Sequence, residues 1–152
     1  MKKLCTLLLL MLSVAAGFAK KDKAKADSIK NLIDNKSFAF VARSAMPMRG
    51  GFISLTHSYD VQVTSDSIVT YLPYYGVSHT AVFPGEDSGI KFTSTNHKYE
   101  VTKTKHGWDV LIKPEDVRNS VEMRFNISES GFVMLSVRDY RRDPITFNGY
   151  LR

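Results

Sequence analysis

The chain has 152 residues, and 43% of them are hydrophobic, which is enough for one globular domain with its own core but not for two domains of ordinary size. The formal charge is +6, and four of the lysines crowd residues 20–25, so the remaining body is nearly balanced. This modest excess gives no support for a nucleic-acid partner, and we exclude that class.

The N-terminus is typical of a secretory signal peptide. A basic start at residues 1–3 is followed by an apolar run over residues 4–14 and then by small residues. The run is too short to span a bilayer, which takes about 20 apolar residues, so an uncleaved anchor is disfavoured. We expect residues 1–19 to be removed by cleavage after Ala19, with Ala16 as the alternative. The product is then periplasmic or secreted, and it meets the membrane only through the transient signal peptide.

Cys5, the only cysteine, lies inside this signal. A lipoprotein needs its cysteine as the first mature residue, so this chain is not expected to be one. The mature protein would have no disulfide and no thiol chemistry.

A short amphipathic helix is predicted over residues 27–36. Residues 20–27 are charged and have no apolar anchor, so we expect a loose basic lead-in there. Either Asp27 or Ser28 can cap the helix N-terminus. The apolar residues that recur at spacings of three and four are Ile29, Leu32 and Ile33.

From residue 37 to residue 152 the apolar period changes to two, which predicts a single β domain. Apolar and polar residues alternate strictly over residues 53–64 and 121–128, as in strands with one face on a core and the other in water. Seven further segments are predicted as strands: Phe38–Ser44, Ser67–Leu72, Ile90–Thr95, Lys98–Lys105, Trp108–Lys113, Phe132–Tyr140 and Ile145–Leu151. Short connections favour antiparallel neighbours, so we predict a mostly β fold, an antiparallel meander of about eight or nine strands, with barrel and sandwich both open.

Leu72–Gly76 (LPYYG) follows a predicted strand and resembles the signature of the bacterial domain-of-unknown-function family 4251. The ending over residues 142–150 (RDPITFNGY) fits the same pattern, as do residues 59–63 and 108–112. The resemblance implies an exported bacterial domain with a β-rich fold and no known activity. It supplies no catalytic residues.

The tyrosines around Pro73 are the candidate ligand-binding residues: Tyr71, Tyr74 and Tyr75. A rigid loop that carries tyrosines can stack on a sugar or on an apolar ligand, because each ring joins an apolar face to a polar tip. The alternative is a structural role, which we favour because aromatic rings are most often core residues. In it the rings plug the end of the β structure, and Gly76 supplies unusual dihedral angles.

No catalytic residue, metal site or cofactor is predicted. The four histidines are His57, His79, His97 and His106, at separations of 22, 18 and 9 residues, which are too wide for the usual metal motifs. His57 lies on the apolar face of its strand and is predicted to be a partly buried core residue. Ser88 sits in an Asp-Ser-Gly string that is weakly similar to hydrolase motifs, but the surrounding residues are those of an ordinary surface turn.

Two Asp-Ser-Ile strings match a pattern used for O-glycosylation of exported proteins in some gut bacteria. They contain Ser28 and Ser67, and the second is expected to be more accessible because it lies in a hairpin turn.

These features favour a non-enzymatic exported binding or accessory module of the bacterial cell envelope. Its partner would be a small molecule, a glycan or an envelope protein. The alternative is a protein–protein interaction module of the envelope that uses an exposed sheet edge or an apolar patch. A hydrolase ranks last.

Overall fold

The computed structural model describes residues 23–79, 89–118 and 120–152. The expected signal peptide lies outside the described residues, as do Asp87 and Ser88 of the Asp-Ser-Gly string.

Nine antiparallel strands form one sheet that curls into a nearly closed barrel. The strands are β1 (Phe38–Pro47), β2 (Ile53–Val63), β3 (Ile68–Leu72), β4 (Ile90–Ser94), β5 (His97–Thr104), β6 (Gly107–Pro114), β7 (Val121–Ser128), β8 (Phe132–Asp139) and β9 (Arg142–Leu151). Their order in the sheet is β4-β3-β2-β1-β9-β8-β7-β6-β5. The predicted antiparallel arrangement is confirmed, and of the two architectures left open the structure adopts the barrel. The expectation that neighbours in sequence pair is wrong for β4 and β5, which lie at opposite edges of the sheet.

The two edge strands, β4 and β5, are halves of one bent strand. Every pairing in the sheet is antiparallel, so the first and ninth positions run in the same direction, and only Thr95 and Asn96 separate them in sequence. The first half, β4, pairs with β3, and the second half, β5, pairs with β6. The carboxylate of Asp116 holds the bend, because it accepts hydrogen bonds from the hydroxyl of Ser94, from the amide of Thr95 at 2.8 Å and from the amide of Asn96 at 3.1 Å. These bonds lower the pKa of Asp116 well below its usual range.

The barrel interior is filled by side chains at alternate strand positions. The fully buried aromatic residues are Phe40, Phe125 and Phe147. The ring of Phe125 meets those of Phe38 and Phe40 edge-on, with centroids 5.8 and 6.1 Å apart.

His57 is exposed, so the prediction of a partly buried core histidine is wrong. The register between β1 and β2 shifts across residues 55–58, and β3 pairs only with the end of β2 from Asp60 onward. This part of β2 therefore extends past the neighbour that would have covered it.

The described part of the N-terminal helix spans residues 23–34, so the helix extends at least four residues before the predicted start. The expectation of a loose lead-in is therefore wrong for residues 23–26. Lysine and alanine at these positions are strong helix formers, and they extend the helix without a cap at Asp27. Among the described residues, no helix has the length and apolar content needed to cross a membrane.

The helix packs on one end of the barrel, where it buries Ile29 and Ile33. The Tyr99 hydroxyl donates to the carbonyl oxygen of Ile33 at 2.9 Å, which ties the helix to β5, and burial raises the pKa of Tyr99. The opposite end carries the β1–β2, β6–β7 and β8–β9 connections and residues 73–79. We call this opposite end the rim.

Candidate binding site at the barrel rim

Residues 73–79 carry the chain across the rim after β3. In the sheet, β3 is separated from β9 by β2 and β1, yet this segment reaches the start of β9 and pairs with it. The amide of Asp143 donates to the carbonyl of Val77 at 3.0 Å, and the amide of His79 donates to the carbonyl of Arg141 at 2.8 Å. The crossing segment thus covers the rim beside the β8–β9 turn.

Tyr74 fastens the crossing segment. Its hydroxyl lies 3.0 Å from each of two carbonyl oxygens, those of Val77 and Asp143, and its single proton is shared between them. Burial, and then the nearby Asp143 carboxylate, raise the pKa of Tyr74. The ring folds back over Gly76, where an added Cβ would lie 2.6 Å from the Tyr74 hydroxyl oxygen. The glycine is needed for this close approach; the expected unusual dihedral is wrong, because Gly76 does not have a positive φ.

The three predicted ligand-binding tyrosines do not form one platform. Tyr71 lies on the outer face of β3, where its ring stacks on that of Tyr59 at 5.6 Å and the Lys91 ammonium sits 4.4 Å from its centroid. Tyr74 belongs to the rim, and Tyr75 is exposed. None of the three lines the two grooves described next, and their role in ligand binding remains a prediction.

A buried carboxylate, Asp143, lies at the centre of the rim, with only 8% of the residue exposed. Its Oδ1 is 3.0 Å from His79 Nε2, and its Oδ2 is 3.7 Å from Arg49 Nε. The neighbouring Arg142 makes different contacts: its guanidinium lies 5.0 Å from the centroid of the Tyr74 ring and donates to the Gly89 carbonyl at 3.3 Å. Arg142 and Asp143, at the start of β9, therefore make most of the contacts that hold the rim together.

Two neighbouring grooves open on this rim. The first, of about 340 Å³, lies between the start of β4, the β6–β7 connection and the β8–β9 turn. Its charged lining residues are Lys91, Arg118, Asp139, Arg141 and Arg142. The second, of about 500 Å³, has His79, Glu122, Arg138, Asp139, Arg142 and Asp143 among its lining residues. Asp139 and Arg142 line both grooves, so together the grooves form one continuous site with charged and apolar walls.

The chemistry that this site offers is recognition by charge and hydrogen bonds. Arg141 Nε is buried and has no hydrogen-bond partner in the described part of the chain. The ring of His79 is held by Asp143, as the ring of a general base often is by a carboxylate. A general base also needs a nucleophile within hydrogen-bond reach, and the contacts of His79 among the described residues include none. Within the described ranges, no three His, Cys, Asp or Glu side chains come together as a metal site.

Sequence reasoning missed the residues that build the rim. It started the last strand at Ile145, whereas β9 already begins at Arg142. A signal was present, because the same run belongs to the family-like ending of the chain. An aspartate directly before a proline, next to a predicted strand, was the feature to follow.

The two serines of the Asp-Ser-Ile strings differ in exposure. Ser28 is exposed on the helix, whereas Ser67 is partly buried and its hydroxyl lies 3.0 Å from that of Thr64. The expected order of accessibility is therefore reversed.

The sequence model of the family described as domain of unknown function (DUF4251) matches residues 20–151. The chain belongs to this family. Its fold is similar to the crystal structure of a DUF4251 family protein from Bacteroides eggerthii DSM 20697, with a TM-score of 0.61 and 14% sequence identity over 84% of this chain and 87% of that chain. Among proteins with curated descriptions, none matches this DUF4251 chain.

Proposed function

We propose that this DUF4251 chain is a non-enzymatic, exported binding module of the bacterial cell envelope, and that its ligand site is the rim of the barrel. The observation that carries the proposal is the pair of grooves that meet at Asp139 and Arg142 beside the buried Asp143. Burying a charged side chain lowers the stability of a well-packed barrel, and a barrel that nevertheless keeps one beside a surface groove is typical of a binding protein.

Export is supported by the basic start, the short apolar run and the small residues of the first 19 positions. The family match begins at residue 20, directly after the expected cleavage site.

The test is capture of the native ligand. The protein would be purified from the periplasmic fraction of its host under mild conditions, and its N-terminus and co-purifying small molecules would be determined by mass spectrometry. We expect a chain that begins near Lys20 and a bound compound that is lost in an Arg142→Ala variant but kept in an Arg43→Ala control on the outer face of β1. A chain that keeps residues 1–19 in the cytoplasm would contradict export, and a compound that survives Arg142→Ala would contradict the rim as its site.

The second candidate is a protein–protein interaction module, and an apolar cluster on the outer face of β8 and β9 favours it. Phe132, Met134 and Tyr150 are 39%, 41% and 54% exposed, and the rings of Phe132 and Tyr150 are 5.7 Å apart. This role predicts a stable envelope partner in a pull-down that is lost in a Phe132→Ser variant and kept in Arg142→Ala. A hydrolase remains the last candidate, and ester hydrolysis abolished by His79→Ala would be needed to support it.

A further inference from the structure

We propose that the first groove binds a small organic anion, with its carboxylate or phosphate group held by Arg141 and Arg118. This inference rests on the proposed function, because it names the ligand class of that same rim. Among the described residues, four basic side chains and one acidic side chain line the groove. Its charge therefore favours an anion over a neutral or cationic ligand.

Arg141 provides the first argument. Its Nε is buried without a hydrogen-bond partner among the described residues, and a buried donor that stays unpaired is costly. The backbone on both sides is fixed: the Arg141 amide donates to Asp139 Oδ1 at 3.0 Å, and its carbonyl accepts from the His79 amide at 2.8 Å. A guanidinium on such a fixed backbone is preorganised for an oxyanion.

The acidic side chains of the rim have other partners, which is the second argument. Glu122 is 3.0 Å from Lys113 Nζ and 3.4 Å from Arg124 Nη2. Asp143 faces His79 and Arg49, and Asp139 accepts from the Arg141 main chain and lies 3.8 Å from Arg142 Nε. None of these contacts involves the guanidinium of Arg118 or of Arg141. Within the described part of the chain, their charge is therefore available to a ligand.

The remaining walls define the body of the ligand. Ile90, Phe92, Val117 and Val121 line the same groove and give it an apolar side. Its volume of about 340 Å³ suits a compact molecule at the lower end of the range for small-molecule sites. The expected ligand is thus a carboxylate or phosphate attached to a compact apolar group.

Three aryl probes of similar size test the inference: benzoate, phenyl phosphate and neutral benzamide. Their dissociation constants would be measured by isothermal titration calorimetry on the purified protein, on Arg141→Gln and on Arg118→Gln, with Arg43→Gln as a matched control. We expect an anionic probe to bind at least about tenfold more tightly than benzamide, the range of one charged hydrogen bond. We expect Arg141→Gln to remove that preference, Arg118→Gln to reduce it, and Arg43→Gln to leave it unchanged. Because Arg118 is exposed, its variant keeps the test valid if Arg141→Gln fails to fold.

Benzamide that binds as tightly as benzoate, or an anion preference that survives both variants, would overturn the anion inference and leave the rim as a binding site. Failure of all three probes to bind would also overturn it, while recovery of a native ligand in the capture experiment would keep the proposed function. Vesicles of phosphatidylglycerol and of phosphatidylcholine distinguish the source of the anion. Binding to the former alone, without binding of the aryl anions, would assign the anion to a lipid surface and overturn the small-molecule proposal.

Discussion

Replacing Tyr74 by phenylalanine tests whether the crossing segment is fastened by one hydroxyl. The ring, its position over Gly76 and its contact with Arg142 are retained, and only the bond shared between the carbonyls of Val77 and Asp143 is removed. Loss of one net hydrogen bond, with two carbonyls left to find water, costs about 1–2 kcal/mol. For a domain of this size that cost lowers the Tm by about 4–8 °C.

The assay is urea unfolding together with amide hydrogen exchange. Exchange should accelerate at His79 and Asp143, whose amides bond across the crossing segment, while the strand amides of β7 and β8 change only with global stability. Tyr140→Phe is the matched control, because this tyrosine is 71% exposed in the neighbouring turn. The reasoning is refuted if Tyr74→Phe and Tyr140→Phe have the same free energy of unfolding and the same exchange rates at these amides.

Three further substitutions test the barrel. Hydrogen bonds from Ser94 and the bend amides hold the pKa of Asp116 low, so its carboxylate stabilises the fold above about pH 4, and this contribution is lost as the pH falls through the folded-state pKa. Asp116→Asn should therefore be less stable than wild type at pH 7, with a gap that narrows in acid; a gap independent of pH across urea titrations would contradict this. Gly149→Ala should cost at least about 3 kcal/mol in chemical unfolding, because its Cβ would lie 1.9 Å from the Val41 carbonyl oxygen; a soluble variant of unchanged midpoint would disprove the contact. Phe125→Ala should lower the free energy of unfolding by about 3–5 kcal/mol in the same assay, since this ring is fully buried, and a loss below about 1 kcal/mol would show that the core collapses around the gap.

Local pattern was sufficient to predict most of the barrel. Strict alternation over β2 and β7 identified strands with one apolar face, and short turns correctly predicted that β2 pairs with β3 and β7 with β8. The helix start was missed, because capping chemistry at Asp27 was weighed above the helix propensity of the lysines and alanines before it. His57 was misplaced for a different reason: alternation gives the face of a side chain, but not whether a neighbouring strand is long enough to cover it.

The rim could not be predicted in the same way. His79 and Asp143 are 64 residues apart in sequence, and they meet only because the segment after β3 crosses two strands to reach β9. Tyr71 and Tyr74 are three residues apart and yet face different surroundings, because β3 ends between them.

The amino-acid sequence by itself determined the strands, the composition of the core and the family, because these depend on patterns within a few residues of each other. The tertiary structure alone decided the barrel closure at the bend between β4 and β5 and the assembly of Arg141, Asp143 and His79 at the rim. Both depend on long-range pairing, in which residues without any shared local pattern come within hydrogen-bond distance only after the sheet has curled.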